Sequence, residues 1–272
     1  MLSLHKGRKI NEERIIHICT RYKRLSCCSI CKDGVQAGFP SPATDYISKP
    51  IDINSILVKH PSNTFIIQAD EDFFPEVGIM SGDILVFDRS IMARQADIIA
   101  YTSDGEFKLM RKEAAGDIAG LSVWGVLTAV IKINRESVYW DIVPEDILPE
   151  EISKLKLPYL VQEQIIGKVD LNKILIRNVP STFITVVSGN SMKDEFIEDK
   201  DLLVVDKLLE HYDGCLAVCY LDGGFTLKRV KVEEGAAWLM PSNPEYPRIR
   251  IEEGDDLRIW GIVSAVIKRW RM

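Results

Sequence analysis

The sequence predicts a mostly β protein that consists of two tandem copies of one domain. Two observations support this fold class. Short runs rich in β-branched residues and bounded by turn residues are typical of strands, and the clearest of them are 182–187 and 201–206. Segments of the first half also recur in the second half at a constant spacing, as expected when one structural unit is repeated.

The repeat keeps an offset of 118 residues, without gaps, over most of its length. The matching pairs are 52–57 with 170–175, 64–66 with 182–184, 83–88 with 201–206, and Phe107 with Phe225. The two copies end alike in 124–132 and 260–268, where the offset has become 136. The second copy therefore has 18 more residues than the first, in a region that includes the proline-bounded turn 243–247.

Four segments follow from this repeat. Residues 1–36 form an N-terminal arm, which is too short for a complete helix-turn-helix domain and a linker. Residues 37–132 are the first copy and 165–272 the second. Between them, 133–164 is acidic and interrupted by prolines, as is typical of a covalent spacer between domains.

The composition gives no indication of nucleic-acid binding, membrane insertion or metal binding. The chain has 272 residues, 46% of them hydrophobic, and a net charge of −6, which gives no general electrostatic reason to bind nucleic acid. No stretch reaches the roughly 18 apolar residues of a membrane span, and the N-terminus lacks a signal-peptide core. We expect a cytoplasmic protein with no membrane association. The six cysteines fit a reducing compartment, and those near the N-terminus lack a second well-spaced ligand pair, so neither a metal nor another cofactor is predicted.

A serine and a lysine in the second copy suggest nucleophilic chemistry. Ser191 follows a strand-like run, and Gly189 could place it on a sharp turn. Lys228 lies within the strand-like run 225–230. A serine attacks a carbonyl only if a base removes its proton, and a lysine, with a pKa of about 10.4, serves as that base only when burial lowers its pKa. Taken alone, the two residues favour ordinary solvated or structural positions, because most serines on turns and most lysines in strands have no catalytic role.

Four motifs favour the catalytic interpretation of Ser191 and Lys228. Ser-Gly-Asn-Ser-Met (188–192), 201–206, 224–229 and 239–244 resemble, in order and spacing, the LexA/UmuD family of self-cleaving Ser-Lys peptidases. The resemblance spans about residues 165–272 and implies that Ser191 is the nucleophile and Lys228 the general base. It also implies that backbone N–H groups near Ser191 and Met192 hold the oxyanion. UmuD-like proteins work as homodimers, so the two copies are expected to form an intramolecular pseudo-dimer of LexA/UmuD C-terminal-type domains.

The start of the first copy resembles a cleavage region of the same family. Ala37-Gly38 precedes the run Phe-Pro-Ser-Pro-Ala at 39–43, so the resemblance implies a scissile bond between Ala37 and Gly38. Small side chains let a strand enter a narrow site, and glycine tolerates a bent backbone. An ordinary proline-rich linker is the alternative interpretation of this segment.

The internal register indicates a division of labour between the copies. Ser191 falls opposite Phe73 and Lys228 opposite Met110, so we expect the first copy to be catalytically inactive. Conversely, Ala37-Gly38 falls opposite the bulkier, charged Leu155-Lys156. The first copy thus keeps the substrate segment and the second keeps the catalytic groups.

The resemblance further implies a role in the SOS response to DNA damage. Cleavage would be stimulated by a RecA–single-stranded-DNA filament, and the product would regulate or assist a translesion DNA polymerase through a UmuC-like subunit. Pairing with a second copy of the chain or with a UmuD-like partner is left open. A non-cleaving accessory or antagonist module, in which Ser191 and Lys228 are remnants, is the main alternative. A repressor is less favoured because the chain lacks a DNA-binding domain, and no sequence-specific DNA binding is expected.

Overall fold

The computed structural model describes residues 51–69, 71–103, 106–115, 122–134, 170–252 and 254–271. These residues form two β-rich halves that share one 12-stranded sheet, which confirms the predicted fold class. The N-terminal arm, the Ala37-Gly38 pair and most of the predicted linker lie outside the described residues. The boundaries proposed for the four segments therefore stay predictions.

The two halves share a helix, a strand, a 3-10 turn and three strands in the same order, and both end in a long strand; before that strand the first half has a short helix and the second half has two further strands. In the first half the elements are α1 (Ile53–Leu57), β1 (Thr64–Gln68), a 3-10 turn (Pro75–Val77), β2 (Ile84–Asp88), β3 (Ile98–Ser103), β4 (Glu106–Arg111), α2 (Lys112–Ala115) and β5 (Ser122–Ile133). In the second half they are α3 (Leu171–Leu175), β6 (Thr182–Val186), a 3-10 turn (Lys193–Glu195), β7 (Leu202–Asp206), β8 (Cys215–Leu221), β9 (Gly224–Glu233), β10 (Ala236–Met240), β11 (Ile249–Arg250) and β12 (Arg258–Arg269). Strands β10 and β11 occupy the stretch where the second copy is longer.

Strands β5 and β12 join the two halves. They pair antiparallel, with Ile131 opposite Ile267, and these two residues are equivalent positions of the repeat. On either side, Ile133 lies opposite Ala265 and Ala129 opposite Arg269, again as exchanged equivalents. Such reciprocal pairing defines an isologous contact, so a pseudo-two-fold axis passes through the Ile131–Ile267 pair.

The short helices α1 and α3 also contact each other through pairs of equivalent hydrogen bonds. The N–H of Ile53 donates to Asn172 Oδ1 at 2.6 Å, and the N–H of Leu171 donates to Asn54 Oδ1 at 3.0 Å. Asn54 Nδ2 donates to Asp170 Oδ1 at 2.8 Å, and its equivalent Asn172 donates to Asp52 Oδ1 at 3.1 Å. In each helix, the first N–H group is thereby satisfied by an asparagine side chain from the other half.

A buried apolar cluster lies across this interface and includes α1, α3 and the central strands of both halves. Its members include Ile53, Leu57, Val86, Ile131, Leu171, Leu175, Val204 and Ile267. Because one core is built from both copies, the predicted pseudo-dimer is a single packed unit around the axis. Among the described helices, none is long and apolar enough to cross a membrane.

Candidate active site

Ser191 lies on a tight turn after β6. Gly189 adopts a φ of 90°, a backbone conformation that favours glycine, and its N–H donates to Asp199 Oδ1 at 3.0 Å. Directly after Ser191, the side chain of Met192 is buried and anchors the turn in the core of the second half. The turn thereby leaves Ser191 Oγ on the wall of a cavity, as the sequence predicts for a serine after a broken strand.

A loop from the longer region of the second copy braces the same turn. The carbonyl oxygen of Ser191 accepts the N–H groups of Ser242 and Asn243, both at 3.0 Å. The side chain of Asn243 is buried, and its Nδ2 donates to the carbonyl of Asn190 at 3.0 Å. Asn243 thus fixes the backbone on both sides of the serine. The motif 239–244 contains Asn243 but does not by itself predict this role, although an asparagine between two prolines in the longer copy is a usable signal.

Lys228 comes from β9 and lies beside the serine. Its Nζ donates to Ser191 Oγ at 2.9 Å, to Thr226 Oγ1 at 2.9 Å and to the carbonyl of Leu227 at 2.9 Å. The lysine is only 6% exposed, and burial lowers its pKa, with the neighbouring Cys219 acting weakly in the opposite direction. The structure therefore brings together the two side chains that the sequence nominated, 37 residues apart in the chain.

The three contacts match the three N–H donors of a charged ammonium, and the same positions also accommodate a neutral amine. A neutral lysine has two N–H donors and one lone pair. The carbonyl of Leu227 and the hydroxyl oxygen of Thr226 can accept the two N–H groups, which leaves the lone pair for the Ser191 hydroxyl to donate to. The arrangement can therefore receive the serine proton. Thr226 was not predicted as a site residue, although the two-residue strand period places it on the same face as Lys228.

The pair opens onto a cavity of about 310 Å³. The cavity is lined by Val187, Ser188, Gly189, Asn190, Ser191, Met192, Phe225, Thr226, Leu227, Lys228, Tyr246, Pro247 and Ile249. Within the described part of the chain, the N–H groups of Ser191 and Met192 donate to no other group. They are therefore available to a developing negative charge beside the serine.

The first half has no serine and no lysine at the positions equivalent to Ser191 and Lys228, which are Phe73 and Met110. Phe73 is packed against the buried cluster around Phe65, and Met110 against a different one that contains Ile99. Neither side chain can act as a nucleophile or a base. Two apolar residues also avoid the cost of burying a lysine that has no task.

A buried lysine against a serine hydroxyl is the arrangement that Ser-Lys peptidases use. The family model described as Peptidase S24-like matches residues 29–119 and 152–264, one segment in each copy. The chain belongs to this family, which confirms the resemblance to LexA and UmuD.

Three curated relatives illustrate the match. Protein ImpA of Escherichia coli is 42% identical over 120 residues, which cover 38% of this chain and 83% of ImpA. Protein SamA of Salmonella typhimurium is 35% identical over 115 residues, which cover 37% of this chain and 82% of SamA. The LexA repressor of an Acidovorax strain is 34% identical over 111 residues, which cover 41% of this chain and 49% of the repressor.

Proposed function

We propose that this protein is a UmuD-like member of the SOS response that cleaves itself between Ala37 and Gly38, with Ser191 as nucleophile and Lys228 as general base. The observation that carries the proposal is the 2.9 Å contact between Lys228 Nζ and Ser191 Oγ beside an open cavity. The presence of both groups in one copy, and of apolar residues at both equivalent positions in the other, favours a retained activity over a pair of remnants.

The proposed reaction uses groups that already lie in place. Neutral Lys228 takes the hydroxyl proton of Ser191 while Oγ attacks the carbonyl carbon of Ala37. The resulting oxyanion accepts the N–H groups of Ser191 and Met192, where a single such donor is worth about 3–4 kcal/mol. The C–N bond then breaks, and the amine of Gly38 takes the proton from Lys228. Water, deprotonated by the same lysine, hydrolyses the ester and releases residues 1–37.

The arm is proposed to reach the site within its own chain. Gly38 lies 13 positions before Ile51, the first described residue, and an extended chain of that length spans roughly 45 Å. A RecA–single-stranded-DNA filament would accelerate cleavage by binding the docked arm better than the free arm. The product beginning at Gly38 would then act with a translesion polymerase through a UmuC-like subunit.

Intact mass spectrometry tests the proposal directly. The wild type, Ser191→Ala and Lys228→Ala are incubated at alkaline pH, where more of the lysine is neutral, and in parallel at neutral pH with RecA filament. Loss of residues 1–37 from the wild type only is the expected result. Phe73→Ala is the matched control, and it should cleave like the wild type because Phe73 lies in the half without the serine and lysine.

A wild type that stays whole under both conditions would contradict the proposal. The protein would then be a non-cleaving accessory or antagonist module that binds UmuD-like partners or the polymerase. Cleavage of the Ser191→Ala variant at the same rate as the wild type would instead show that another group is the nucleophile.

A further inference from the structure

Two equivalent residues of the repeat touch each other near the pseudo-two-fold axis. Gly78 and Phe196 each end a 3-10 turn with a positive φ, 78° and 58°. The phenylalanine packs so closely on the glycine that a Cβ added to Gly78 would lie 2.3 Å from Phe196 Cγ and 2.8 Å from its Cδ2. Contacts this short do not occur between real atoms, so the space at Gly78 is already occupied by the partner half.

The backbone of Phe196 is unusual for its side chain. Glycine adopts positive φ freely, whereas a bulky residue there is an outlier. The first half keeps glycine at this position, so the turn itself does not require a phenylalanine. The phenylalanine therefore occupies a backbone conformation that disfavours it, and the packing of its ring on Gly78 explains why a phenylalanine stands there.

A lysine of the first half, Lys132, contacts both Gly78 and the Phe196 ring. Lys132 Nζ donates to the carbonyl of Gly78, pairs with Asp83 Oδ2 at 3.0 Å, and lies 6.0 Å from the centre of the Phe196 ring. Its equivalent in the second half, Lys268, instead pairs with Glu198 at 2.7 Å. The lysine that holds the glycine carbonyl is thus a feature of the first half, as the ring is a feature of the second.

We propose that Phe196 and Gly78 act as a knob and a socket that restrict the pairing surface of the second domain to a partner with glycine at this position. Two second domains paired in this geometry would place a phenylalanine where even a Cβ overlaps the opposing ring. Two first domains would leave a ring-sized gap at the axis. The surface therefore fits the first domain of the same chain or of a second copy of this chain, and rejects partners with a side chain at this point.

This inference does not depend on self-cleavage, so its test uses a Ser191→Ala chain in which no cleavage is expected. A recognition sequence for a specific protease is inserted within 144–149, the chain is cut there after folding, and native mass spectrometry identifies which halves stay together. The parent should give only pairs of one first and one second domain. Second–second pairs from the parent, or separated halves, would overturn the proposal.

Four variants of the same cut chain test whether the contact between Phe196 and Gly78 determines which halves pair. Gly78→Phe should weaken the mixed pair at least tenfold. Phe196→Gly removes the overlap between two second domains, so second–second pairs should become detectable, although weaker than the parent's mixed pair because glycine facing glycine leaves a gap. The swap Gly78→Phe with Phe196→Gly should recover most of the mixed pair, since one ring again faces one glycine. Gly214→Phe is the matched control, because Gly214 has a φ of 88° and no atom within 4 Å of an added Cβ.

Each variant has an outcome that would overturn the proposal. A Gly78→Phe protein that pairs like the parent would remove the steric argument. Absence of second–second pairs in Phe196→Gly would show that the ring is not what prevents them. If Gly78→Phe fails only because it misfolds, the swap, which carries the same phenylalanine, also fails to recover the mixed pair, and that result contradicts the knob and socket. Loss of pairing in Gly214→Phe would assign the effect to backbone strain.

Discussion

Replacing Asp201 with asparagine should stabilise this protein at neutral pH and change its stability little near pH 4. Asp201 precedes β7 and is only 5% exposed, and its Oδ2 accepts the N–H of Glu198 at 2.9 Å. Burial raises the pKa of its carboxyl group from 3.8 to about 6, and the hydrogen bond with the attraction of Lys268 offsets this only in part. Folding therefore costs free energy whenever this group must be charged.

The size and the sign of the effect follow from that pKa. A rise from 3.8 to about 6 corresponds to about 3 kcal/mol, which is the cost of the buried charge above pH 6. Below about pH 3 the group is protonated in both the folded and the unfolded state and the cost is absent, and near pH 4, close to the unfolded pKa of 3.8, only a small part of the cost remains. Asparagine keeps an oxygen for the N–H of Glu198 and carries no charge, so the variant should gain up to about 3 kcal/mol at pH 7.

Urea unfolding of the Ser191→Ala chain, with and without Asp201→Asn, measures this difference at pH 7, 5.5 and 4. Asp206→Asn is the matched control, since Asp206 is also buried. Its oxygens accept from Ser181 at 2.7 Å, from Leu208 at 2.8 Å and from Asn178 at 3.2 Å, so an amide there would face donors and lose about 1–3 kcal/mol. A gain from Asp201→Asn that is the same at every pH, or a loss at pH 7, would refute the reasoning.

Two further predictions concern the lysine and the interface. Lys228→Met should abolish cleavage yet raise the free energy of unfolding in urea at pH 7, because burial lowers the pKa of this lysine and its charged form costs free energy in the folded protein. The gain should shrink as pH rises towards 10.5 and vanish above it, where the wild-type amine is neutral in both the folded and the unfolded state. Asn54→Ala and Asn172→Ala should each cost about 1–3 kcal/mol in urea unfolding, because each leaves a helix N–H, that of Leu171 or Ile53, without its partner. Costs that differ by more than a factor of three would contradict the pseudo-two-fold symmetry.

Much of the fold could be predicted because the repeat preserves its register. The offset of 118 in the sequence reappears in the bounds of β1 with β6 and of β2 with β7. Strand-forming residues at matching positions are a local signal, and two copies of that signal reinforce each other. The Ser191–Lys228 contact could be nominated only through the family resemblance, since 37 residues of chain separate the two side chains.

The missed features depend on pairing between distant elements. Asn243 braces the serine turn only because the connection between β10 and β11 folds back over it. The 118-residue offset makes Gly78 and Phe196 equivalent positions, but whether they touch depends on where the pseudo-two-fold axis passes, and the pairing of β5 with β12 decides that. No local propensity carries this information, because it arises from the relative position of the two halves.

The apolar pair Phe73 and Met110 has a consequence for how such a protein would switch. A symmetric dimer with two arms and two active sites passes through a half-processed form, so a population contains three species. Under the proposed self-cleavage, a molecule with one serine–lysine pair and one Ala37-Gly38 segment would have only two covalent states, whole and cut. The response of each chain to a signal would therefore be binary under that proposal, with no half-processed form of a single molecule.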